Sequence, residues 1–460
     1  MGYSRTGFAL ILAVGIHTSS FSQLSDTPGS RPYEKTVQSL FADALGSGQA
    51  YPMLTELAVG VGSRLSGSPG AAKAVDWMEK KMKTLGFQNV HLEKMMVPRW
   101  ERGSVEECRI KGSKSPLNVC ALGGSIGTPS KGITAEVVEV KSFDELRALG
   151  DKAKGKIIFF NRPMDRSKIS PFEAYGGAVN QRGSGAIEAA KAGGVAALVR
   201  SMTMALDDAP HTGGMRYVDS IMKVPAAAVS TMGAERLSRL LEKGPVTLTL
   251  KLSCTTKPDV ESANVVGELT GTEKPEEVIV IGGHLDSWDK GQGAHDDGAG
   301  CAQVLEALRL LKDAGLTPKR TIRVVGFMNE ENGLKGGIDY AARPRPGEKH
   351  IAALETDAGG FSPRGFGVQA DSLVFDKIAK WAYLFEPIDA DRISRGGGGA
   401  DISELGKLGV PMIGLRVDGQ RYFNYHHSAN DTIDKVNERE LELGAASIAA
   451  LVYVLAQEGL

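Results

Sequence analysis

The chain has 460 residues, 42% of them hydrophobic, which is enough to bury conventional cores in two or three domains. Its 54 lysines and arginines nearly balance its 55 aspartates and glutamates. No charge excess therefore points to nucleic acid or to an anionic membrane surface. The first 22 residues, MGYSRTGFALILAVGIHTSSFS, put Arg5 before an apolar run over residues 7–16 and finish with small residues. That is the layout of a secretory signal peptide, and the run is too short to serve as a stable anchor. The expectation is a mature chain starting near Gln23, in a secreted or periplasmic location. No later segment offers the ~20 uninterrupted apolar residues of a membrane span.

Residues 23–124 are read as the N-terminal part of a catalytic domain, with amphipathic helical patterns from residue 51 followed by a strand-like VHLEKMMV ending at Val97. Cys108 and Cys120 flank a turn, RIKGSKSPLNV, and could bridge a hairpin; Cys254 and Cys301 lie in a strand-like segment and at a helix start. The paired spacings of a tetracysteine zinc site are absent. Residues 125–252 have a different texture. Strand signals GITAEVVEV, GKIIFF and KVPAAAVS surround an alanine- and glycine-rich helix pattern, with polar edges GGSIGTPSKG and CTTKPDVES. A small α/β domain inserted into the catalytic domain is the economical reading.

Residues 253–460 resume the catalytic part. Apolar runs EVIVIGGH (277–284), TIRVVGFMN (321–329), HIAALETD (350–357) and VPMIGLRVD (410–418) alternate with helical patterns. In one of these, CAQVLEALRLLKDAG, Val304, Leu305, Leu308 and Leu311 share a face. Short continuous strands alternating with helices predict an α/β fold, a mostly parallel sheet sandwiched by helices. Ligands of such sheets bind beyond the carboxyl ends of the strands. His284 and Asp286, Glu330 and Glu331, and Asp357 fall just there, and the fourth run leads into a loop carrying His427.

The stretch HLDSWDKGQGAHDDGAG (284–300) holds two histidines and four aspartates in a chain with only 8 histidines. Carboxylates this close repel one another unless a cation joins them. In the H-x-D pair, Asp286 can hold the second nitrogen of a ligating His284. Of the adjacent Asp296 and Asp297, one reads as a helix cap, but two exceed what a cap needs. In NEENG (329–333), one acid can bind metal while its neighbour serves as a general base. Asp431 can orient the His427 loop, His426 reads as a neighbour, and His295 as a possible lining of the substrate cleft. Two histidines and three carboxylates suit two zinc ions per chain, one carboxylate bridging and each ion holding one histidine and one further carboxylate.

HLDSWDKGQGAHDDGAG, NEENG, ETDAGG and HHSANDT, in this order, resemble the motifs of the co-catalytic di-zinc exopeptidase family of aminopeptidases and carboxypeptidases. The likeness extends to GSRLSGS (62–68), VPRWERG (97–103) and APHTGG (209–214), so it covers nearly the whole mature chain. It implies His284 and Asp357 on one zinc, Glu331 and His427 on the other, Asp296 bridging and Asp286 behind His284. Glu330 would be the general base, taking a proton from the metal-bridging water and passing it to the leaving amine. The inserted region resembles a protease-associated domain, and the resemblance suggests a homodimer. His295 before the bridging aspartate and Asn329 before Glu330 depart from the more familiar residues.

The expected substrates are dipeptides or short peptides with unblocked termini. The alternatives are an aminopeptidase needing only a free N-terminus, and a catalytically dead binding protein of the same fold. Arg395 and Asp401, in RGGGGAD, are candidate readers of a substrate terminus. Cobalt or manganese would also suit these N/O ligands.

Overall fold

The structure, a computed structural model, describes residues 1–2 and 31–460, so the expected signal peptide lies almost wholly outside the described residues. Among the described residues, fifteen strands form two sheets. In chain order they are β1 Gln88–Glu101, β2 Glu106–Ile110, β3 Val119–Ala121, β4 Ile133–Val140, β5 Ile157–Phe160, β6 Ala196–Arg200, β7 Ala226–Val229, β8 Thr247–Leu252, β9 Thr255–Leu269, β10 Lys274–His284, β11 Arg320–Phe327, β12 Lys349–Glu355, β13 Pro363–Gln369, β14 Arg392–Arg395 and β15 Met412–Val417.

The large sheet has the order β1-β9-β11-β10-β12-β15-β13-β14. Its centre, β11-β10-β12-β15, is parallel throughout; β9 and β1 on one side and β13 on the other run antiparallel to their inner neighbours. The fold is mixed α/β. The central strands are apolar on both faces because helices cover both. Along β10, Ile279 and Ile281 join the core beneath helices Ala299–Asp313 and Glu438–Glu458, while Val278 and Val280 pack with Tyr340, Ile402 and Leu405 on the other side. Val304, Leu305, Leu308 and Leu311 are all fully buried, as their spacing predicts. Helix Glu438–Glu458 is long and apolar enough to cross a membrane, but it is largely buried as a core helix of this sheet.

The second sheet has the order β2-β8-β4-β5-β6-β7-β3, parallel across β4-β5-β6-β7. It reaches further toward the N-terminus than the boundary at residue 125: β2 and β3 are two of its strands, pairing with β8 and β7. Those partners lie more than a hundred residues downstream, so local texture carried no trace of them. At the other edge, CTTKPDVES reads as a linker, yet from Thr255 it is the first half of β9, paired with β1. That half is solvated, which explains its polar composition. All four cysteines are buried free thiols; Cys108 and Cys120 are not bridged.

Candidate active site

Parallel strands bring their carboxyl ends to one edge, and the predicted residues gather there. His284 ends β10, Glu330 and Glu331 follow β11, and Asp357 follows β12. Asp296 lies in the turn before helix Ala299–Asp313, and His427 follows the short helix Tyr422–Tyr425. The carboxylate of Asp296 stands between two sets. Its Oδ1 is 3.2 Å from His284 Nε2, which is 3.6 Å from Asp357 Oδ1. Its Oδ2 is 3.3 Å from His427 Nε2, which is 3.0 Å from Glu331 Oε2. Each set pairs one imidazole with one carboxylate, and Asp296 offers one oxygen to each.

The neighbouring aspartates do different work. Asp297 accepts from Gly300 N at 3.0 Å and from His284 N at 3.0 Å, capping the helix and tying it to β10. Gly283 allows that approach, since a Cβ there would meet Asp297 Oδ2 at 2.5 Å. Asp431 accepts from His295 N at 2.7 Å and Asp296 N at 3.2 Å, holding the backbone that aims Asp296. Glu331 Oε1 accepts from Trp288 N at 3.2 Å, which leaves Oε2 facing His427.

Asp286 acts differently from the sequence reading. The Nδ1 of His284 meets the backbone carbonyl of Asp286 at 3.0 Å, not its carboxylate. The carboxylate instead accepts from Asn329 N at 2.8 Å and Glu330 N at 3.1 Å, fixing the turn that presents the two glutamates. A side chain two residues on points back toward its own strand's neighbour, β11, so the nearer carbonyl takes the ring nitrogen.

His295 does not line the cleft. It is fully buried, packed against both Phe361 (4.2 Å) and Tyr425 (5.3 Å), with Nδ1 accepting from Gly360 N at 3.1 Å and Nε2 3.2 Å from Lys435 O. Burial lowers its pKa to about 4, so it is a neutral core histidine. Arg395 points away from the site: Nη2 donates to Ser372 Oγ at 3.1 Å and the guanidinium lies over Phe375 at 4.3 Å. Asp401 is 1% exposed beside Glu355, and burial with that neighbouring acid holds its carboxyl well above the usual range. Arg395 is therefore not in position to read a terminus, whereas Asp401 is buried next to Glu355, which lines the cleft beside Asp357.

Several residues that the sequence reading left unassigned shape the site. His426 stacks on His427 at 3.5 Å between centroids, with Nε2 3.8 Å from Asp296 Oδ2. Arg64 of GSRLSGS, 0% exposed, donates to the carbonyls of Leu285 (2.7 Å), Gln292 (2.8 Å) and Gly293 (2.9 Å), binding the His284–Asp296 loop into one rigid piece. Arg102 of VPRWERG pairs with Asp289 and Glu106 and donates to Thr212 Oγ1 at 3.2 Å, joining the two sheets. From the second sheet's side, Thr212 N donates to His427 O at 2.9 Å, His211 Nδ1 meets His426 O at 2.7 Å, and Arg182 Nη1 lies 3.3 Å from His427 Nδ1. APHTGG, VPRWERG and GSRLSGS carry His211, Thr212, Arg102 and Arg64, whereas Arg182 lies outside every motif of the sequence analysis.

The electrostatics fit cations. Burial and the charge of Asp296 hold Glu331 well above the usual carboxylate range, while burial and nearby acids, Asp357 first, push Glu330 up to about 8. Asp296 alone is held low: burial opposes its charge, but His284, His426 and His427 outweigh it. His284 Nε2 and Asp296 Oδ2 are buried with no hydrogen bond, despite their close neighbours. A buried imidazole nitrogen and carboxylate oxygen left without hydrogen bonds among crowded carboxylates suit metal ions bound between them.

Residues 264–452 match the model of Peptidase family M28. The chain is 37% identical over 427 residues to carboxypeptidase Q of Bos taurus, covering 92% of this chain and 88% of that protein. With carboxypeptidase Q of Homo sapiens it shares 36% over 448 residues, covering 96% and 93%. The chain belongs to peptidase family M28. It is an enzyme of the zinc-dependent exopeptidase class that this family comprises. Among solved structures, a peptidase M28 precursor from Shewanella amazonensis SB2B superposes with a TM-score of 0.89 at 36% identity, covering 93% of this chain and 97% of that one. The zinc aminopeptidase BSAP from Bacillus subtilis, 20% identical with a TM-score of 0.66, shares the M28 fold over 90% of this chain and 96% of its own.

Proposed function

We propose that this M28 enzyme hydrolyses dipeptides or short peptides with unblocked termini, outside the cytoplasm, using two zinc ions and Glu330 as general base. The observation that carries the reading is Asp296, whose two carboxylate oxygens face two separate histidine–carboxylate sets. His284 and Asp357 would hold one ion, His427 and Glu331 the other, with Asp296 between them. Zinc so held supplies Lewis-acid polarisation of the scissile carbonyl and a lowered pKa for water.

The protein's own part is proton handling and positioning. A Glu330 carboxylate oxygen takes the proton of the attacking water and returns it to the nitrogen of the leaving amine. Asp286 holds the Glu330 backbone in place, and Asp431 holds that of Asp296. The second sheet, which resembles a protease-associated domain, covers the site through His211, Thr212 and Arg182. The similarity to carboxypeptidase Q and the signal-peptide-like layout of the first 22 residues support the extracytoplasmic, peptide-cleaving reading.

The test is hydrolysis of one neutral dipeptide beside its N-acetylated and C-amidated forms, each with and without a chelator. Chelator-sensitive cleavage of the unblocked form alone is the expected result. Equal cleavage of the amidated form would make the enzyme an aminopeptidase that ignores the C-terminus.

A further inference from the structure

A cleft of about 620 Å³ opens beside Glu355 and Asp357. Residues 169–172 of the second sheet's domain form one wall, and β13, β15 and the glycines after β14 form the other. Three arginines line it, Arg364, Arg392 and Arg416, with Asp418 the one acid at that end.

The sheet register explains their convergence. Gly365 is the cross-strand partner of both Arg392 on β14 and Arg416 on β15. Partners across a sheet share a face, so two guanidinium stems rise on either side of a residue without a side chain, their Cα atoms about 10 Å apart, two strand spacings. Only glycine fits between them: φ at Gly365 is +130°, and a Cβ would meet the Arg392 carbonyl oxygen at 1.9 Å. Arg416 folds over Gly367, donating from Nη2 to Gly396 O at 2.8 Å. Arg364 pairs with Asp418 at 3.7 Å, whereas Arg392 and Arg416 have no acidic partner among the described residues.

Arg395 lies three residues along β14 from Arg392, and odd spacing sends it to the opposite face, which is why it misses the cleft. A guanidinium that faces a cleft with no ion-pair partner gains charge-assisted, bidentate hydrogen bonds from an incoming carboxylate.

We propose that Arg392 and Arg416, across the Gly365 notch, bind a carboxylate of the substrate. This deepens the peptidase reading and rests on cleavage occurring beside Asp357. The carboxylate is either the free C-terminus or an acidic side chain beyond the scissile bond. The experiment measures KM and kcat of the zinc-loaded wild type, Arg392→Gln, Arg416→Gln and Arg392→Lys on a neutral dipeptide and on one ending in glutamate. Among the described residues the Arg392 side chain has no hydrogen bond or ion pair to lose, so its variant serves if Arg416→Gln does not fold.

The expected result is a KM raised roughly 10- to 100-fold at nearly constant kcat, partly restored in Arg392→Lys. A rise on both dipeptides identifies the C-terminus as the bound group; a rise confined to the glutamate dipeptide identifies the side chain. An unchanged KM on both, or a fall in kcat alone, overturns the proposal. Wild-type cleavage of the amidated neutral dipeptide with the KM of the free one would remove the C-terminal requirement, and the arginine pair would then stand or fall on the glutamate dipeptide.

Discussion

Asp431 touches neither proposed ion, yet replacing it should weaken zinc binding. Its two carboxylate oxygens accept from the amides of His295 and Asp296, at 2.7 and 3.2 Å, at a site shut off from solvent. In Asp431→Asn one oxygen remains and an NH2 group replaces the other. One of the two amides then faces a donor and is left unsatisfied, at a cost of about 1–3 kcal/mol. The amide is that of Asp296 or its neighbour His295, so the loss falls on the orientation of Asp296. A weakening of zinc affinity by ~10- to 100-fold follows, the range found when groups supporting metal ligands are removed. The assay is equilibrium competition for zinc against a fluorescent chelator, with melting of the zinc-free protein measured alongside. Asp434→Asn, three residues away and 64% exposed, is the control and should match wild type. An Asp431→Asn affinity within twofold of wild type would refute the reasoning, whatever happens to the melting temperature.

Glu330→Gln should keep its zinc and its melting temperature while kcat falls by ~10²–10⁴-fold; a loss below tenfold would remove Glu330 as the base. Arg64→Met leaves the carbonyls of Leu285, Gln292 and Gly293 without their donor, and should destabilise the fold by about 3 kcal/mol or more in chemical denaturation; a change under 1 kcal/mol would show the loop to be held by other means. Glu442 is buried against Tyr51 N, with its second oxygen unpartnered, and burial raises its pKa to about 7. The folded state therefore keeps this proton after the unfolded chain has lost it near pH 4.3, and stability falls as pH rises from about 4.3 to about 7. Glu442→Gln should melt above wild type at pH 8 by more than at pH 5; an equal difference at both would contradict the assignment.

The four parallel strands were legible because each is a short apolar run bounded by turns, and burial on both faces imposes that composition. Their polar ends followed, since the topology delivers the carboxyl ends to one edge. The division of labour at 296 and 297 was half legible: a helix start explains one aspartate, and only the fold shows that Asp297 is that one. Asp286 was assigned to the wrong partner because a two-residue spacing says nothing of which atom, carbonyl or carboxylate, reaches the ring.

The order of His284, Asp296, Glu330, Glu331, Asp357 and His427 along the chain, and their place at strand ends, are local facts that the amino-acid sequence determines by itself. It also determines which strands are buried on both sides. Tertiary structure alone decided which polar residues face the cleft. His295 sits beside a proposed ligand in sequence but is packed into a core against Phe361 and Tyr425, while Asp401 is buried beside Glu355 at the edge of the cleft. Arg392 and Arg416 come together only because β13 lies between β14 and β15, and Thr212 meets His427 across more than two hundred residues. Pairing between strands and contact between sheets depend on chain closure over long separations, and no local spacing encodes which distant partner closes the loop.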